Sequence, residues 1–308
     1  MSTSLPPTTT AAPSAVRPQR IGIVVHPTRD VDRPLRVLRE WADARGVDVV
    51  QIAGPYPQQP VAAEGRAGDT DLIVSIGGDG TTLAALRAGA LADRPVLGIA
   101  CGSLGALANV TVDDVARSLE RFSRGQWHPR RFPALVVARS HGEPLFALND
   151  VALVRASGGQ VRLTASVDGD VFARIAGDGG VVSTPIGTSG YTISAGGPLL
   201  LTHVDGFVFT PLPKHGGFAP PLVIASGSEL ALEVAGGYGG ARLEVDGQIA
   251  AEGTGSVTIT FRAGLATQVS FEDQESLLEG LRQRRIVLDS PRVMAEVDRD
   301  SVNRRAES

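Results

Sequence analysis

Short apolar runs alternate with helix-like stretches over the first part of the chain. Four runs have strand length and predict buried strands, at 21–25, 47–52, 72–76 and 95–99. Between them, apolar residues recur at helical spacing and predict helices at 33–45, 82–90 and 112–122. The first helix is predicted to end at Gly46, and Thr111 and Asp114 are placed like a capping box before the third. Strands that alternate with helices predict a parallel α/β sheet, in which ligands bind beyond the carboxyl ends of the strands.

After about Trp127 the pattern changes to short apolar runs separated by Gly, Asp and Pro turns. These runs predict strands at 134–138, 145–148, 151–154, 161–167, 171–175, 181–183, 207–209, 222–224, 230–234, 242–245, 257–261 and 268–271. Asp168-Gly169 between two of them is typical of a hairpin turn. This part is therefore predicted to be β-rich and mostly antiparallel, followed by a last helix at 276–285.

The two patterns predict a domain organisation. It consists of a disordered tail at 1–18, an α/β domain at 19–127, a β-rich domain at 128–271 and a second disordered tail at 289–308. The segment 272–288, which holds the last predicted helix, is expected to pack back on the α/β domain.

Composition narrows the class of protein. Among 308 residues, 43% are hydrophobic, which supports a real core, and no apolar run reaches membrane-spanning length. The net charge of −4 gives no general attraction to nucleic acid or to anionic lipid, so neither is an expected partner. Cys101 is the only cysteine, which excludes an internal disulfide and a thiolate metal site, and a reducing cytoplasmic location fits.

The segment Gly77-Gly78-Asp79-Gly80-Thr81 lies between the third predicted strand and a predicted helix. Glycines at such a turn let backbone N–H groups approach a phosphate closely. A carboxylate among those amides disfavours a purely anion-binding role. A carboxylate in this position is explained if Asp79 takes a proton from a hydroxyl, or binds a metal, beside the phosphates. The alternative is a tight turn in which Asp79 caps the helix.

A second glycine-rich segment extends from Gly177 to Pro198 and contains small hydroxyl residues and one tyrosine. Such a composition suits a nucleoside, through backbone approach, hydrogen bonds to ribose and a ring to pack against; a turn-rich β corner is the alternative. Asn149-Asp150 follows a strand, where it either reads a nucleoside edge or forms a turn. Of five histidines without metal-ligand spacing, His215 is the best candidate for a ligand contact. Walker A and Rossmann patterns are absent from the sequence.

Taken together, these blocks resemble the NAD kinase family from about residue 21 to 285. The resemblance rests on their order: Gly77 to Thr81, Leu148-Asn149-Asp150, Asp178 to Pro198, Thr210-Pro211 with His215, and Val245-Asp246-Gly247-Gln248. It implies an α/β N-terminal domain, a β-rich C-terminal domain, and homodimers or homotetramers. The implied reaction is phosphorylation of the adenosine ribose 2′-hydroxyl of NAD by ATP or polyphosphate, with Mg²⁺ or another divalent cation and without a tightly bound organic cofactor.

The resemblance also implies site residues. Asp79 would be the general base, beside donor phosphates bound at Gly77, Gly78, Gly80 and Thr81. The acceptor would contact a second set: Asn149, Asp150, Asp178, Thr188, Ser189, Gly190, Tyr191, Ser194 and His215.

Some positions depart from the pattern that the family usually shows. Asp150 stands for Glu, Ile186 for Thr, Ala100 for Asn, Ala106 for an aromatic residue and Lys214, the only lysine, for Pro. Ile186 lacks a hydroxyl at a polar site, which would remove a possible hydrogen bond. These departures suggest an altered acceptor pocket. The leading hypothesis is an NAD kinase. The alternatives are a kinase of another nucleoside or nucleotide acceptor, in which Lys214 would contact a phosphate, and a non-catalytic dinucleotide-binding regulator.

Overall fold

The computed structural model describes residues 15, 17–235, 240–253, 255–272, 277–283, 285–291 and 293. The chain divides into two compact units, 1–274 and 275–308. Most of the predicted tails at 1–18 and 289–308 lies outside the described residues. The domain boundary after residue 127 and the packing of 272–288 stay predictions.

The first part of the chain alternates strands and helices as predicted. The strands are β1 (Arg20–Val25), β2 (Asp48–Ile52), β3 (Glu64–Gly65), β4 (Leu72–Gly77) and β5 (Val96–Ala100). The helices are α1 (Asp32–Asp43), α2 (Asp79–Ala92) and α3 (Val115–Ser123), with 3₁₀ turns at Ala67–Asp69 and Val112–Asp114. Gly46 has φ +66°, in agreement with a glycine that ends the first helix.

The capping box predicted before the third helix is wrong. Residues Val112–Asp114 form a 3₁₀ turn, and α3 begins only at Val115. The Thr111 hydroxyl donates to the Asp114 carboxylate at 2.7 Å, and neither side chain caps a backbone group. The two side chains therefore hydrogen-bond to each other and not to the backbone at the start of the helix.

The second part is β-rich. Its strands are β6 (His128–Arg139), β7 (Leu145–Ala147), β8 (Asp150–Arg155), β9 (Val161–Val167), β10 (Asp170–Gly177), β11 (Gly179–Ser183), β12 (Gly206–Pro211), β13 (Leu222–Ala225), β14 (Glu229–Ala235), β15 (Ala241–Val245), β16 (Gln248–Glu252) and β17 (Ser256–Ser270). A short helix, α4 (Tyr191–Ser194), follows a 3₁₀ turn at Gly187–Ser189, and α5 (Leu277–Gln283) lies in the second unit. Asp168 and Gly169 both have positive φ in the β9–β10 hairpin, as the sequence predicted.

Two sheets form from the described strands. The larger has 11 strands, in the order β10-β9-β14-β17-β5-β4-β1-β2-β3, with β6 and β7 beside β17. Its β1 to β5 part is parallel and the rest is mostly antiparallel. The smaller has six strands, in the order β13-β12-β11-β8-β15-β16. The sequence predicted two strands at 257–261 and 268–271, but they are one strand, β17, with an irregularity between Arg262 and Ala266.

The core falls into packed clusters that follow this architecture. One cluster joins α1 and α3 to one face of the parallel strands, and a second fills the space between the antiparallel strands of the two sheets. A third joins α2 to β6 and to Leu148 and Ile186 of the β-rich part. Helix α2 thus begins at the Gly77–Thr81 turn and packs against the segments predicted to bind the acceptor.

Candidate active site

The Gly77–Thr81 turn joins β4 to α2, and the helix begins at Asp79 itself rather than at Thr82 as predicted. A Cβ at Gly77 would lie 2.3 Å from Thr81 Oγ1, so this position requires glycine. A Cβ at Gly80 would meet nothing within 4 Å, so the space above it is open. The first amides of an α-helix lack intrahelical partners and attract anions. The turn therefore offers donors and free space for a phosphate.

Asp79 is held by three backbone amides of the segment after β5. Its Oδ2 accepts from Ala106 N, and its Oδ1 accepts from Leu107 N and Ala108 N, each at 2.9 Å. A Cβ at Gly105 would lie 2.0 Å from Oδ1, so only glycine fits against the carboxylate. Asp79 is thus fixed by backbone groups across the turn, and it does not cap its own helix.

The segment 106–108, which holds Asp79, is itself held by side chains of two neighbouring strands. Arg130 on β6 donates to the carbonyl oxygen of Ala106 at 3.0 Å, and Gln268 on β17 donates to that of Leu107. Burial lowers the pKa of Arg130, while the nearby Asp79 raises it. The amides therefore keep their direction through contacts with two neighbouring strands.

Asp79 retains one acceptor position. A carboxylate offers about four lone-pair sites, and Oδ1 accepts two bonds while Oδ2 accepts one. Oδ2 can therefore accept a hydrogen bond from a substrate hydroxyl. The described residues contain no group of three or more His, Cys, Asp or Glu side chains placed to bind a metal. A site with so few acidic side chains suits a divalent cation whose ligands are mainly phosphate oxygens, as those of Mg²⁺ often are.

A cavity of about 310 Å³ opens beside Asp79. It is lined by the turn at 78–81, by His26 and Arg29 after β1, and by the loop around Tyr56. Gln58 and Gln59 hold that loop through bonds to backbone groups of Ile52, Val25, His26 and Arg29. Gln248, the first residue of β16, donates to the Tyr56 hydroxyl. The cavity is thus lined by loops of the α/β part, and one of them contacts the β-rich part through Tyr56.

The predicted acceptor residues Asn149 and Asp150 lie at the start of β8. Thr184 N donates to the carbonyl oxygen of Asn149 at 2.9 Å, and the Thr184 hydroxyl donates to Leu148 O at 2.6 Å. A Cβ at Gly187 would lie 2.0 Å from Asn149 O. The structure therefore brings Asn149 and the Thr184–Gly187 turn into direct contact.

Asp246 anchors this segment and was not among the predicted site residues. Its Oδ1 accepts from Asn149 N at 2.7 Å and Asp150 N at 3.2 Å, and its Oδ2 accepts from Leu148 N at 3.1 Å. Oδ2 also pairs with Arg87 of α2 at 2.6 Å, and the Asp246 side chain is 3% exposed. The Arg87 guanidinium lies 4.6 Å from the Phe146 ring centroid. The Arg87–Asp246 pair therefore ties the helix that carries Asp79 to the Asn149-Asp150 segment.

Three carboxylates lie close together on this side of the site. Burial, and then the charges of Asp246 and Glu244, raise the pKa of Asp150 from 3.8 to about 7. Burial, and then Glu244, Asp178 and Asp150, raise the pKa of Tyr191. Tyr191 is 40% exposed, so its ring remains accessible to a ligand. Asp150, Asp178 and Tyr191 therefore share one electrostatic environment.

The remaining predicted residues divide into accessible and internal ones. Asp178 pairs with Arg155 at 2.8 Å, and its N–H donates to Pro213 O, which places it beside the exposed His215 loop. Gly190 and Ser194 are about one helical turn apart, and the Ser194 hydroxyl donates to Gly190 O. The Ser189 hydroxyl donates to Ile186 O. Thr188 is fully buried, and its hydroxyl donates to Pro185 O and accepts from Leu200 N, so it stabilises the turn internally.

Two of the altered positions have structural roles that the sequence did not predict. Ile186 is 7% exposed and packs with Ala85, Leu86 and Leu148 in the core beside α2. Its apolar side chain therefore suits its position, and the expectation that it removes a polar contact is wrong. Ala106 acts through its backbone, which donates to Asp79 and accepts from Arg130.

Comparison with known proteins decides the family. The chain is 34% identical over 249 residues to the NAD kinase of Nitratidesulfovibrio vulgaris, with 78% of this chain and 82% of that protein covered. It is 32% identical over 240 residues to the NAD kinase of Heliobacterium modesticaldum, with 74% and 84% covered. The chain belongs to the NAD kinase family. Models of the ATP-NAD kinase N-terminal and C-terminal domains match residues 57–127 and 148–270.

Solved structures of NAD kinases share the fold. Yeast NADH kinase complexed with NADH superposes with a TM-score of 0.72 at 20% identity, over 90% of this chain and 89% of the yeast chain. An NAD kinase from Archaeoglobus fulgidus in complex with ATP gives a TM-score of 0.69 at 24% identity, over 87% and 100%. The predicted family and fold class are therefore confirmed. Within the described residues, no helix combines the length and apolar character needed to cross a membrane.

Proposed function

We propose that this enzyme transfers the terminal phosphoryl group of ATP to the adenosine ribose 2′-hydroxyl of NAD and forms NADP. The observation that carries the proposal is the fixed Asp79 carboxylate, which has one open acceptor position beside a glycine turn and an open cavity. The curated relatives named above are NAD kinases, and the chain spans most of their length.

The residues divide the reaction between them. Asp79 Oδ2 accepts a hydrogen bond from the 2′-hydroxyl, which fixes the hydroxyl oxygen for in-line attack on the phosphorus. As the new O–P bond forms and the bond to the departing diphosphate breaks, the hydroxyl proton passes to Asp79. Because such transition states are loose, Asp79 contributes by orienting the hydroxyl as well as by taking its proton.

The first amides of α2 and the open space at Gly80 receive the phosphates. A divalent cation, Mg²⁺ in our proposal, supplies charge neutralisation for the polyphosphate when bound. Asp79 is the only acidic side chain among the described residues that line the cavity, so the phosphate oxygens must provide most of the cation's ligands. The acceptor lies along Asn149, Asp150, Asp178 and Tyr191, whose placement in one electrostatic environment supports this assignment.

The deciding experiment is the variant Asp79→Asn, assayed with Mg²⁺, ATP and NAD. Because an amide cannot accept the proton, we expect kcat to fall by about 10²–10⁴-fold while ATP and NAD still bind in calorimetry. The matched control is Asp93→Asn, an exposed residue at the other end of α2, which we expect to retain wild-type turnover. Full activity of the Asp79 variant would contradict the proposed base.

Mass analysis of products from NAD, NADH, adenosine and other nucleosides separates this proposal from its alternatives. A phosphorylated product other than NADP, with NAD left unchanged, would indicate a different acceptor. Bound NAD without any phosphorylation would indicate the non-catalytic regulator, which the intact Asp79 arrangement does not favour.

We also propose that the enzyme is a cytoplasmic homodimer or homotetramer. Sedimentation of the purified protein tests the oligomeric state.

A further inference from the structure

Arg29 lies in the turn after β1, outside every predicted site block, and its backbone is fixed on both sides. Its N–H donates to His26 Nδ1 at 3.0 Å, and its carbonyl oxygen accepts from Gln59 Nε2 at 2.8 Å. These bonds hold the residue at the wall of the 310 Å³ cavity. The backbone of Arg29 is therefore held in place by hydrogen bonds to His26 and Gln59.

The Arg29 guanidinium lies over the glycine turn. Nη1 donates to the carbonyl oxygen of Cys101, just beyond β5, at 2.9 Å. The same nitrogen is 3.5 Å from the position that a Cβ would take at Gly78, and 3.9 Å from that position at Gly102. The cation is thus packed on the backbone of the turn that carries Asp79. A side chain at Gly78 would meet it.

Among the described residues, no acidic side chain lies within ion-pair distance of Arg29, so none of them neutralises its charge. Arg33, four residues later, pairs with Asp113. The Arg29 side chain is exposed toward the cavity, with further N–H groups beyond the bond to Cys101. Its positive charge acts on neighbouring groups. Burial, and then the charge of Arg29, lower the pKa of His26. Burial raises the pKa of Cys101, and the charge of Arg29 opposes this rise.

An unpaired guanidinium beside open helix-terminal amides suits a polyphosphate. Arg binds phosphate oxygens with two parallel N–H donors, and such bonds strengthen where negative charge develops in the transition state. We propose that Arg29 binds the transferred phosphoryl group of the donor and stabilises its charge during transfer. This inference rests on the proposed function. It adds a donor-side residue that neither the glycine turn nor the acceptor blocks contain.

The test compares Arg29→Ala and Arg29→Lys with Arg33→Ala, which removes a nearby charge that is already paired. We expect Arg29→Ala to lower kcat/KM for ATP by about 10²-fold, because one charged donor to the developing anion is lost. The KM for NAD should stay within about twofold, since the acceptor residues are elsewhere. Arg29→Lys should restore part of the rate, and Arg33→Ala should match the wild type.

A second readout separates phosphate binding from support of the turn. Inorganic tripolyphosphate is used as a competitor of ATP and as an alternative donor, and ATP binding without NAD is measured by calorimetry. We expect Arg29→Ala to weaken both ligands by a similar factor at an unchanged melting temperature. Weakening of ATP alone would assign Arg29 to the nucleoside part and overturn the inference, as would unchanged binding of both.

The outcomes for the two proposals are distinguishable. If the wild type forms no NADP, the proposed function fails, while the binding of ATP and tripolyphosphate still tests Arg29. If the wild type forms NADP and Arg29→Ala does so equally well, only the inference about Arg29 fails. A loss of melting temperature together with equal losses for ATP and NAD would assign Arg29 a structural role and contradict the inference.

Discussion

Asp79 and Asp150 are both carboxylates of the candidate site, but their surroundings are opposite. Asp79 is surrounded by backbone donors, with three amides at 2.9 Å. Asp150 is half-buried near two further carboxylates, Asp246 and Glu244, and its pKa rises to about 7. The donor side of the site is therefore built by backbone geometry, and the acceptor side by the balance of side-chain charges. Steric changes should damage the first, and changes of charge or pH the second.

The largest expected effect comes from a steric change at Asp79. In Gly105→Ala the added Cβ would lie 2.0 Å from Asp79 Oδ1, so the carboxylate must shift and lose part of its amide bonds. A displacement of about 1 Å at a reacting group costs about 10²-fold in rate, and we expect at least this loss in kcat/KM. Steady-state kinetics measures it. Gly68→Ala, where a Cβ meets nothing within 4 Å, is the control and should retain activity.

A smaller effect is expected from the anchor of the acceptor side. Asp246→Ala leaves Arg87 and the three amides of 148–150 without their partner. Arg87 is 31% exposed and keeps its bond to Phe146 O, so the loss comes mainly from the unpaired amides. Each buried amide left unpaired costs about 1–3 kcal/mol, so the free energy of unfolding should fall by about 3 kcal/mol and the KM for NAD should rise. Urea denaturation and kinetics measure the two. Asp246→Asn keeps a hydrogen-bond acceptor, and asparagine tolerates the φ of 49° at this position. We therefore expect a smaller loss of stability in Asp246→Asn than in Asp246→Ala. Equal losses for the two variants would contradict this expectation and show that the charge, which both variants lack, matters more than the acceptor that asparagine keeps.

The smallest effect is a pH dependence at Asp150. Its pKa of about 7 in the folded protein exceeds 3.8, so the folded state holds the extra proton between these values. The free energy of unfolding therefore falls as pH rises from about 4 to 7. Asp150→Asn keeps the neutral shape and should match the wild type at pH 4. At pH 8 the free energy of unfolding of Asp150→Asn should exceed that of the wild type by on the order of 2 kcal/mol.

Denaturation at several pH values measures this difference. Asp69→Asn replaces an exposed carboxylate and should show no such divergence from the wild type. A constant difference between Asp150→Asn and the wild type across this range would show that Asp150 does not titrate near pH 7.

The fold could be predicted largely because its signals are local. Apolar runs and turns such as Asp168-Gly169 depend on neighbouring residues, and both appear in the structure. The errors arose where distant residues decide. The irregularity after Arg262 looked like a break between strands, but β6 pairs with β17 on both sides of it. Strand β16 (Gln248–Glu252) carries polar residues and was missed, because its side chains are mostly exposed.

The candidate site was predictable only in part. The Gly77–Thr81 turn carries its own signal, because glycines and a carboxylate at a strand end suggest a phosphate site. The residues that support the site carry less. Gly105 is an ordinary glycine until Asp79 is placed against it. Asp246 lies in a block of the family resemblance, but its role depends on distant partners, namely Arg87, 159 residues away, and the amides of 148–150. Ile186 looked like a lost hydroxyl because its burial beside α2 depends on tertiary packing.

Strand β17 has a consequence for the newly synthesised chain. It pairs antiparallel with β6 and β14 and parallel with β5, yet it is the last of the described strands of this sheet to be made. Until residue 270 has left the ribosome, β5 and β6 lack this neighbour and expose open strand edges, which favour pairing with other chains. Truncation before Ser256 should therefore give nascent chains that depend on chaperones, even though Asp79 and every predicted acceptor residue have already been synthesised.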